Sequence, residues 1–214
     1  MNKIMNSYLA VAQMLPKLDF VVLLALRLYL APIFIVAGWQ KLTQFDSMVS
    51  WFGDVSWGLG LPFAPLWVIL VIFAELIGGA ALLFGVLTRW FALMLSMTMM
   101  VAIVKVHLKN GWYAITPTDP TTNISQLFSY LPEGQASLQN SIAAGERLAK
   151  ANEILQSQGD FEWLTQTGNF VILNNGVEFG VTYLIMLLVL LVFGAGRYLS
   201  VDDWFYRLIF IKKR

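Results

Sequence analysis

Long apolar segments separated by shorter polar stretches dominate the chain. Four of them approach the roughly 20 mainly apolar residues that an α-helix needs to cross a hydrocarbon core of about 30 Å. These segments comprise residues 19–38, 65–87, 90–107 and 176–193. The pattern predicts an all-α integral membrane protein, in which residues 1–214 form one membrane domain built on a four-helix bundle. We expect the predicted spans to contact the lipid bilayer.

A long polar insertion separates the third and fourth predicted spans. It covers residues 108–175, whereas the helices of a bundle are normally joined by short connections. Within it, Pro132-Glu133 has the features of a helix start and Gly159 those of a helix stop. The insertion is therefore predicted to be partly helical.

The predicted helix of the insertion would place Glu146 and Lys150 as an i, i+4 ion pair. An apolar run follows it, made of Phe161, Trp163 and residues 170–173. The run allows two interpretations: it dips into the outer leaflet of the membrane, or it caps the helix bundle.

The composition excludes several classes of protein. Hydrophobic residues make up 58% of the chain and charged residues 13%, where soluble domains have about 25% charged residues. A soluble enzyme, a disordered chain and a nucleic-acid-binding domain are therefore excluded, and a net charge of +1 gives no attraction to nucleic acid. The absence of Cys excludes a disulfide framework, a thiolate metal site and an iron–sulfur cluster.

Lys and Arg concentrate on one side of the predicted spans. Cytoplasmic loops of membrane proteins carry the excess of these residues. The basic residues on this side are Lys3, Lys17, Arg89, Arg197, Arg207, Lys212, Lys213 and Arg214. Their distribution predicts that both termini are cytoplasmic, that residues 194–214 form a basic cytoplasmic tail and that the insertion is periplasmic. The predicted location is a bacterial inner membrane.

Two charged residues fall deep within the predicted spans. An ionisable group in hydrocarbon costs about 2.5 to 3.5 kcal/mol on insertion scales, so each one needs a partner or a function. Counting about 1.5 Å per residue places Arg27 roughly 12 Å and Glu75 roughly 18 Å from the cytoplasmic side. We predict an Arg27–Glu75 ion pair. It would act either as a structural clamp or as the charged wall of a quinone or metal pocket.

Further polar residues lie in the outer third of the predicted spans. Lys105, His107 and Glu178 reach this level, as does Lys41 at the end of the first span. A polar cluster is the functional interpretation, and snorkelling of the side chains to the interface is the structural one. The candidate cofactor-binding residues are therefore Arg27, Lys41, Glu75, His107 and Glu178.

The third span is rich in Met. Met97, Met100 and His107 share one face of an ideal α-helix, and thioethers with an imidazole suit Cu(I). Packing in an apolar core is the alternative interpretation, because Met is a common packing residue. Small residues at positions 78–81 predict close approach of a neighbouring helix.

Several segments resemble a known family. Residues 26–42, 75–79 and 83–89 are similar to the DoxX family of bacterial four-span membrane proteins. Its HvfX branch, which is associated with copper-binding modified peptides, is resembled by residues 45–63, 107–112, 147–155 and 169–188. The resemblance implies a membrane partner of a peptide-maturation system, in a family linked to quinone-dependent oxidation, with Arg27, Lys41, Glu75, Arg89 and His107 at motif positions.

Three functions are compatible with these observations. The first is an inner-membrane accessory for maturation or export of a copper-binding peptide, acting as a quinone-linked redox subunit. The second is a small copper-handling transporter, which would need a homo-oligomer because four helices enclose little space. The third is a scaffold without chemistry, whose acidic insertion recruits a periplasmic partner protein.

Overall fold

A computed structural model describes residues 12–117 and 134–211, together with positions 5, 8, 9, 126, 129 and 130. The chain is helical in these ranges and forms no strand there, which confirms the predicted all-α class for this part. One antiparallel backbone bridge joins Ile115 to Leu173. The predicted helix start at Pro132-Glu133, and the basic residues Lys3 and Lys212–Arg214, lie outside the described residues.

Within the described parts of the chain, three helices are long and apolar enough to cross a membrane. Helix α1 comprises Asp19–Thr43 and is followed by the short helix α2, Phe45–Gly53. Helix α3 comprises Ala64–Phe84, and helix α4 comprises Thr88–Asn110. The apolar segments 19–38, 65–87 and 90–107 are thus confirmed as candidate spans. Their ends are set by turns, such as the left-handed Phe63 before α3 and Gly85 after it.

Both α3 and α4 contain a π-helical turn. In α3 the turn comprises Phe73–Ile77, and in α4 it comprises Ile103–His107, followed by a 3-10 turn at Leu108–Asn110. A π turn is a local departure from the 3.6-residue period and is frequent at functional sites. Each one changes which side chains share a helix face.

The remaining helices belong to the second half of the chain. Helix α5 comprises Gly134–Gln158 and ends just before Gly159, as the sequence predicts. The short helix α6 comprises Phe161–Thr165. The fourth apolar helix, α7, comprises Glu178–Phe193 and has only 16 residues. The four-helix bundle and the periplasmic location of the insertion stay predictions.

The chain divides into two compact units. The first unit comprises residues 1–98 and 183–214, and the second comprises residues 99–182. In the first unit, α1 packs closely against α3. A Cβ on Gly38 would lie 2.7 Å from the Leu76 backbone nitrogen, and one on Gly79 would lie 3.0 Å from the Ala31 carbonyl oxygen. This contact confirms that the small residues of α3 admit a neighbouring helix.

The surface of α5 differs from the prediction in one detail. Lys150 pairs with Glu153 at 2.8 Å, so the predicted Glu146–Lys150 pair is wrong. Both partners are more than half exposed, and neighbours at i+3 and i+4 compete nearly equally for a flexible Lys side chain on an open helix surface.

The segment after α7 is folded onto the first unit. Gly194, Gly196 and Tyr198 have positive φ, and Ser200 caps the short helix α8, Val201–Tyr206. The Asp202 carboxylate accepts hydrogen bonds from the backbone N–H groups of residues 87 and 88, at the start of α4. Asp202, which belongs to the predicted cytoplasmic tail, therefore caps the start of α4 in this unit.

Candidate functional site

An ion pair inside the first unit joins α1 to α3. Lys41 Nζ lies 2.6 Å from Glu75 Oε2. The Glu75 side chain is only 4% exposed, whereas that of Lys41 is 26% exposed. A buried carboxylate is strongly destabilising without a partner, so Lys41 allows Glu75 to lie at this depth. Because the ammonium remains partly open, it is available to a further ligand.

Local structure explains why these two residues meet. Glu75 is the central residue of the π turn in α3. Gly38 of α1 faces Glu75 and Leu76 so closely that no side chain fits between the two helices. Lys41 follows Gly38 by three residues, which places it on nearly the same face of α1. The close crossing thus brings a long basic side chain onto the carboxylate.

Arg27 occupies a different place from the predicted one. It is 1% exposed, and its guanidinium donates to four backbone carbonyl oxygens: those of Leu82 at 2.7 Å, Leu83 at 2.9 Å, Ala195 at 3.0 Å and Leu199 at 3.0 Å. The predicted Arg27–Glu75 ion pair is wrong.

The carbonyl partners of Arg27 include two at the end of a helix. Residues 82 and 83 belong to the last turn of α3, whose carbonyls lack the N–H partner four residues later and carry the negative end of the helix dipole. The Leu82 carbonyl oxygen also accepts a hydrogen bond from the Gly85 N–H at 3.2 Å. Glu75 lies seven residues earlier, about 10 Å away along the helix axis. Arg27 therefore satisfies a helix end, and of its two predicted roles the structural clamp fits this geometry.

His107 and Glu178 belong to the second unit. His107 Nδ1 lies 2.8 Å from the Asn175 carbonyl oxygen, which also accepts a hydrogen bond from Asn110 Nδ2 at 3.1 Å. The Glu178 carboxylate accepts from the Ala114 backbone N–H at 3.1 Å. Both predicted site residues thus fix the irregular backbone on either side of the insertion. Lys41, which was predicted to share their cluster, has Glu75 as its partner.

The contacts of Asn174 and Asn175 were not anticipated from the sequence. Asn174 Nδ2 donates to the Asn110 carbonyl oxygen at 2.6 Å, and Asn175 has a positive φ of 58°. The adjacent pair of Asn before an apolar segment is the available signal, because Asn tolerates the left-handed region and hydrogen-bonds local backbone.

Part of the chain is similar in sequence to known proteins. A family model described as DoxX matches residues 22–108. These residues form a DoxX domain. Over 86 residues the chain is 36% identical to a protein of Bacillus subtilis (strain 168) named "Putative oxidoreductase CatD". This match covers 40% of the present chain and 60% of the relative. No solved structure matches the chain significantly.

The DoxX domain contains Arg27, Lys41, Glu75 and His107, whereas Glu178 lies beyond its end. It therefore includes the whole Lys41–Glu75 ion pair. Most of the insertion also lies outside the domain, and the assignment to the HvfX branch stays a prediction.

Met97 and Met100 of the DoxX domain do not pack in its core. Met97 is 60% and Met100 is 52% exposed, so the packing interpretation is wrong for both. The π turn at Ile103–His107 also breaks the 3.6-residue period on which their alignment with His107 rested. Among the described residues, no three His, Cys, Asp or Glu side chains gather as a metal site would require. Copper binding stays a prediction.

A shallow depression lies elsewhere in the first unit. It has a volume of about 150 Å³ and is lined by Arg89, Trp90, Leu93 and Leu191. Small-molecule sites usually enclose about 300 to 1,000 Å³, so this depression is too small for a typical ligand. Neither member of the ion pair lines it.

The connection between α1 and α3 is ordered by its own contacts. Phe52 packs with Ala64, Val68 and Ile72, and Trp51 packs against this cluster. Trp57 is 62% exposed. Asp54 Oδ1 accepts hydrogen bonds from the Ser56 hydroxyl at 2.6 Å and from the Ser56 backbone N–H at 2.7 Å.

These bonds predict a pH dependence in this connection. The Ser56 hydroxyl, with the N–H groups of Trp57 and Ser56, lowers the pKa of Asp54. A lowered pKa in the folded state adds stability above the unfolded pKa of about 3.9, and this stability is lost as the pH falls through the folded pKa. The thermal midpoint should therefore fall more steeply below pH 4 in the wild type than in Asp54→Asn. Parallel midpoint curves for the two proteins would contradict the role of Asp54.

Proposed function

We propose that the Lys41–Glu75 ion pair of the DoxX domain binds the headgroup of a membrane quinone, and that the chain is the membrane subunit of a quinone-linked oxidoreductase. The observation that carries this proposal is the 2.6 Å pair, whose carboxylate is buried at a π turn. Intramembrane ionisable residues commonly mark functional sites. The name of the Bacillus subtilis relative supports the reaction class.

The chemistry of the pair suits a quinone. Quinone carbonyl oxygens accept hydrogen bonds, and the partly exposed Lys41 ammonium has three donors, of which one is directed at Glu75. Exposed apolar residues lie near both partners in the sequence, among them Trp39, Leu42 and Phe73. A polar anchor beside an apolar surface matches a headgroup that carries a hydrocarbon tail.

The proposed reaction has a defined balance. Reduction of a quinone to a quinol consumes two electrons and two protons. Lys41 Nζ gives one proton to a carbonyl oxygen of the quinone, Glu75 stabilises the ammonium before transfer, and water at the exposed edge supplies the other proton. The two electrons come from a reduced partner protein, since the sequence has no Cys to relay them.

The test is quinone binding by a variant that keeps the shape of the site. Glu75→Gln removes the charge but not the volume, so it should weaken binding of a short-chain ubiquinone by at least about tenfold, equivalent to about 1.4 kcal/mol. Binding is measured by fluorescence quenching in detergent micelles. Asp46→Asn is the matched control on the exposed surface of α2 and should bind like the wild type. Unchanged affinity in folded Glu75→Gln would overturn the proposal.

We also propose that this redox subunit serves maturation or export of a copper-binding modified peptide. The support is the resemblance of residues 45–63, 107–112, 147–155 and 169–188 to the HvfX branch. Deleting residues 134–158, which form α5, should abolish maturation of a co-expressed peptide precursor while quinone binding persists. Normal maturation after this deletion would contradict the peptide role.

A further inference from the structure

Two extended segments meet in the second unit at an isolated antiparallel bridge between Ile115 and Leu173. We call the pair of segments, residues 113–117 and 171–175, the ribbon. The Thr116 N–H donates to the Ile172 carbonyl oxygen at 3.0 Å, and the Asn174 N–H donates to the Ala114 carbonyl oxygen at 3.0 Å. This is the pattern of a non-hydrogen-bonded antiparallel pair, in which opposite side chains lie close together on one face.

The two faces of the ribbon have unusual polarity. Ile115, Val171 and Leu173 share one face by the two-residue period and are 45%, 56% and 70% exposed. Ile172, on the other face, is only partly exposed. A ribbon with one face in water normally turns polar side chains outward. Here Ile115, Val171 and Leu173 are apolar, and the exposed polar residue Asn175 lies at the end of the same face.

The two segments of the ribbon contain no charged residue, and the nearest charged contact is the Glu178 carboxylate, which accepts a hydrogen bond from the Ala114 N–H. No Asp, Glu, Lys or Arg occurs in residues 110–117 or 163–177. Trp112 and Tyr113, at the start of the first strand, are residues favoured at membrane interfaces. The composition thus favours contact with the bilayer over contact with a charged partner protein.

The ribbon lies close to the ends of two apolar helices. Helix α4 ends five residues before Ile115, and α7 begins five residues after Leu173. Five extended residues reach at most about 18 Å, so the ribbon cannot leave the neighbourhood of these ends. Helix α7 has 16 residues and is therefore about 24 Å long, shorter than a hydrocarbon core of about 30 Å.

Three backbone N–H groups between the ribbon and α7 are paired where the chain enters the helix. The N–H groups of Gly176, Val177 and Glu178 donate to the carbonyl oxygens of residues 113, 111 and 112 at 2.9 to 3.0 Å. Irregular backbone is tolerated at membrane depth only when its polar groups are satisfied within the protein. These three N–H groups meet that condition.

We propose that the ribbon inserts its apolar face, Ile115, Val171 and Leu173, into the headgroup and acyl boundary of the lipid bilayer. It would extend the short helix α7 and hold one end of the insertion against the membrane surface. The proposal is independent of quinone binding.

Site-directed spin labelling tests this proposal, because a chain without Cys permits single-site labels. Leu173→Cys is labelled with a nitroxide in vesicles of phosphatidylcholine and phosphatidylglycerol, and its collisions with oxygen and with a water-soluble nickel complex are measured. Gln156→Cys, on the exposed surface of α5, is the control. The ratio of oxygen to nickel collisions should be severalfold higher at position 173.

Two further labelled variants serve as additional controls. Val171→Cys should behave like Leu173→Cys, and Ile172→Cys should be less accessible to both reagents because it lies on the inner face. Nickel access at position 173 equal to that at position 156 would overturn the proposal by placing the face in water. Low access of both reagents at positions 171 and 173 would overturn it by showing a protein contact, such as one with a second copy.

Discussion

Replacing Arg27 with Ala is expected to lower the free energy of unfolding by about 3 to 5 kcal/mol. Hydrogen bonds to a charged group contribute about 1.5 to 3 kcal/mol each, and removal of the donor leaves buried acceptors unsatisfied. The guanidinium makes four such bonds, and the loss is partly offset because its burial no longer costs desolvation. Denaturant titration in detergent, followed by Trp fluorescence, measures the change.

Arg89→Ala is the matched control for this prediction. Arg89 is exposed and makes one hydrogen bond, to the Val192 carbonyl oxygen at 3.1 Å. Its removal should change stability by less than about 1 kcal/mol. The stability of Arg27→Lys should lie between those of Arg27→Ala and Arg89→Ala, since an ammonium keeps the charge but cannot reach four carbonyls from one position. If Arg27→Ala and Arg89→Ala unfolded at the same denaturant concentration, the role of Arg27 as a structural clamp would be refuted.

Breaking the Lys41–Glu75 pair from one side is expected to cost more than removing both charges. Lys41→Met leaves a buried carboxylate without a partner and should cost about 3 kcal/mol, the lower end of the range for buried pairs because Lys41 is partly exposed. In Lys41→Met/Glu75→Leu the stability should return to within about 1 kcal/mol of the wild type, since an apolar pair can replace a buried ion pair.

The same double variant separates stability from function. If the pair exists to bind a quinone, the double variant should be stable but should not bind or reduce a short-chain ubiquinone. Unfolding free energy and quinone affinity are measured on the wild type, Lys41→Met, Glu75→Leu and the double variant, which form a double-mutant cycle. Additive losses of stability would show that the two side chains are uncoupled. Full quinone affinity in the double variant would show that the pair is structural alone.

The sequence predicted the helices well because burial in lipid leaves a simple signature. Runs of apolar residues located α1, α3 and α4, and Gly159 located the end of α5. The small residues near position 79 predicted a close helix contact, since removal of a side chain permits backbone approach regardless of what the partner is. These features depend on local composition.

The partners of the buried charges could not be predicted in the same way. Counting residues gives depth along a helix axis but not the direction of a side chain. Depth alone therefore could not decide between Arg27 and Lys41 as the partner of Glu75. The π turn at Phe73–Ile77 also changes the angular position of Glu75 without any marker in the composition. The acceptors of Arg27 are backbone oxygens, which every residue carries.

The clamp around Arg27 joins residues that lie far apart in the order of synthesis. Two of its acceptors, at residues 82 and 83, are made soon after Arg27, but the other two lie 168 and 172 residues downstream of it. Two of the four acceptors are therefore made long after the guanidinium. A chain truncated before residue 195 would lack both of them, so the segment after α7 completes the hydrogen bonding of Arg27 in the first span.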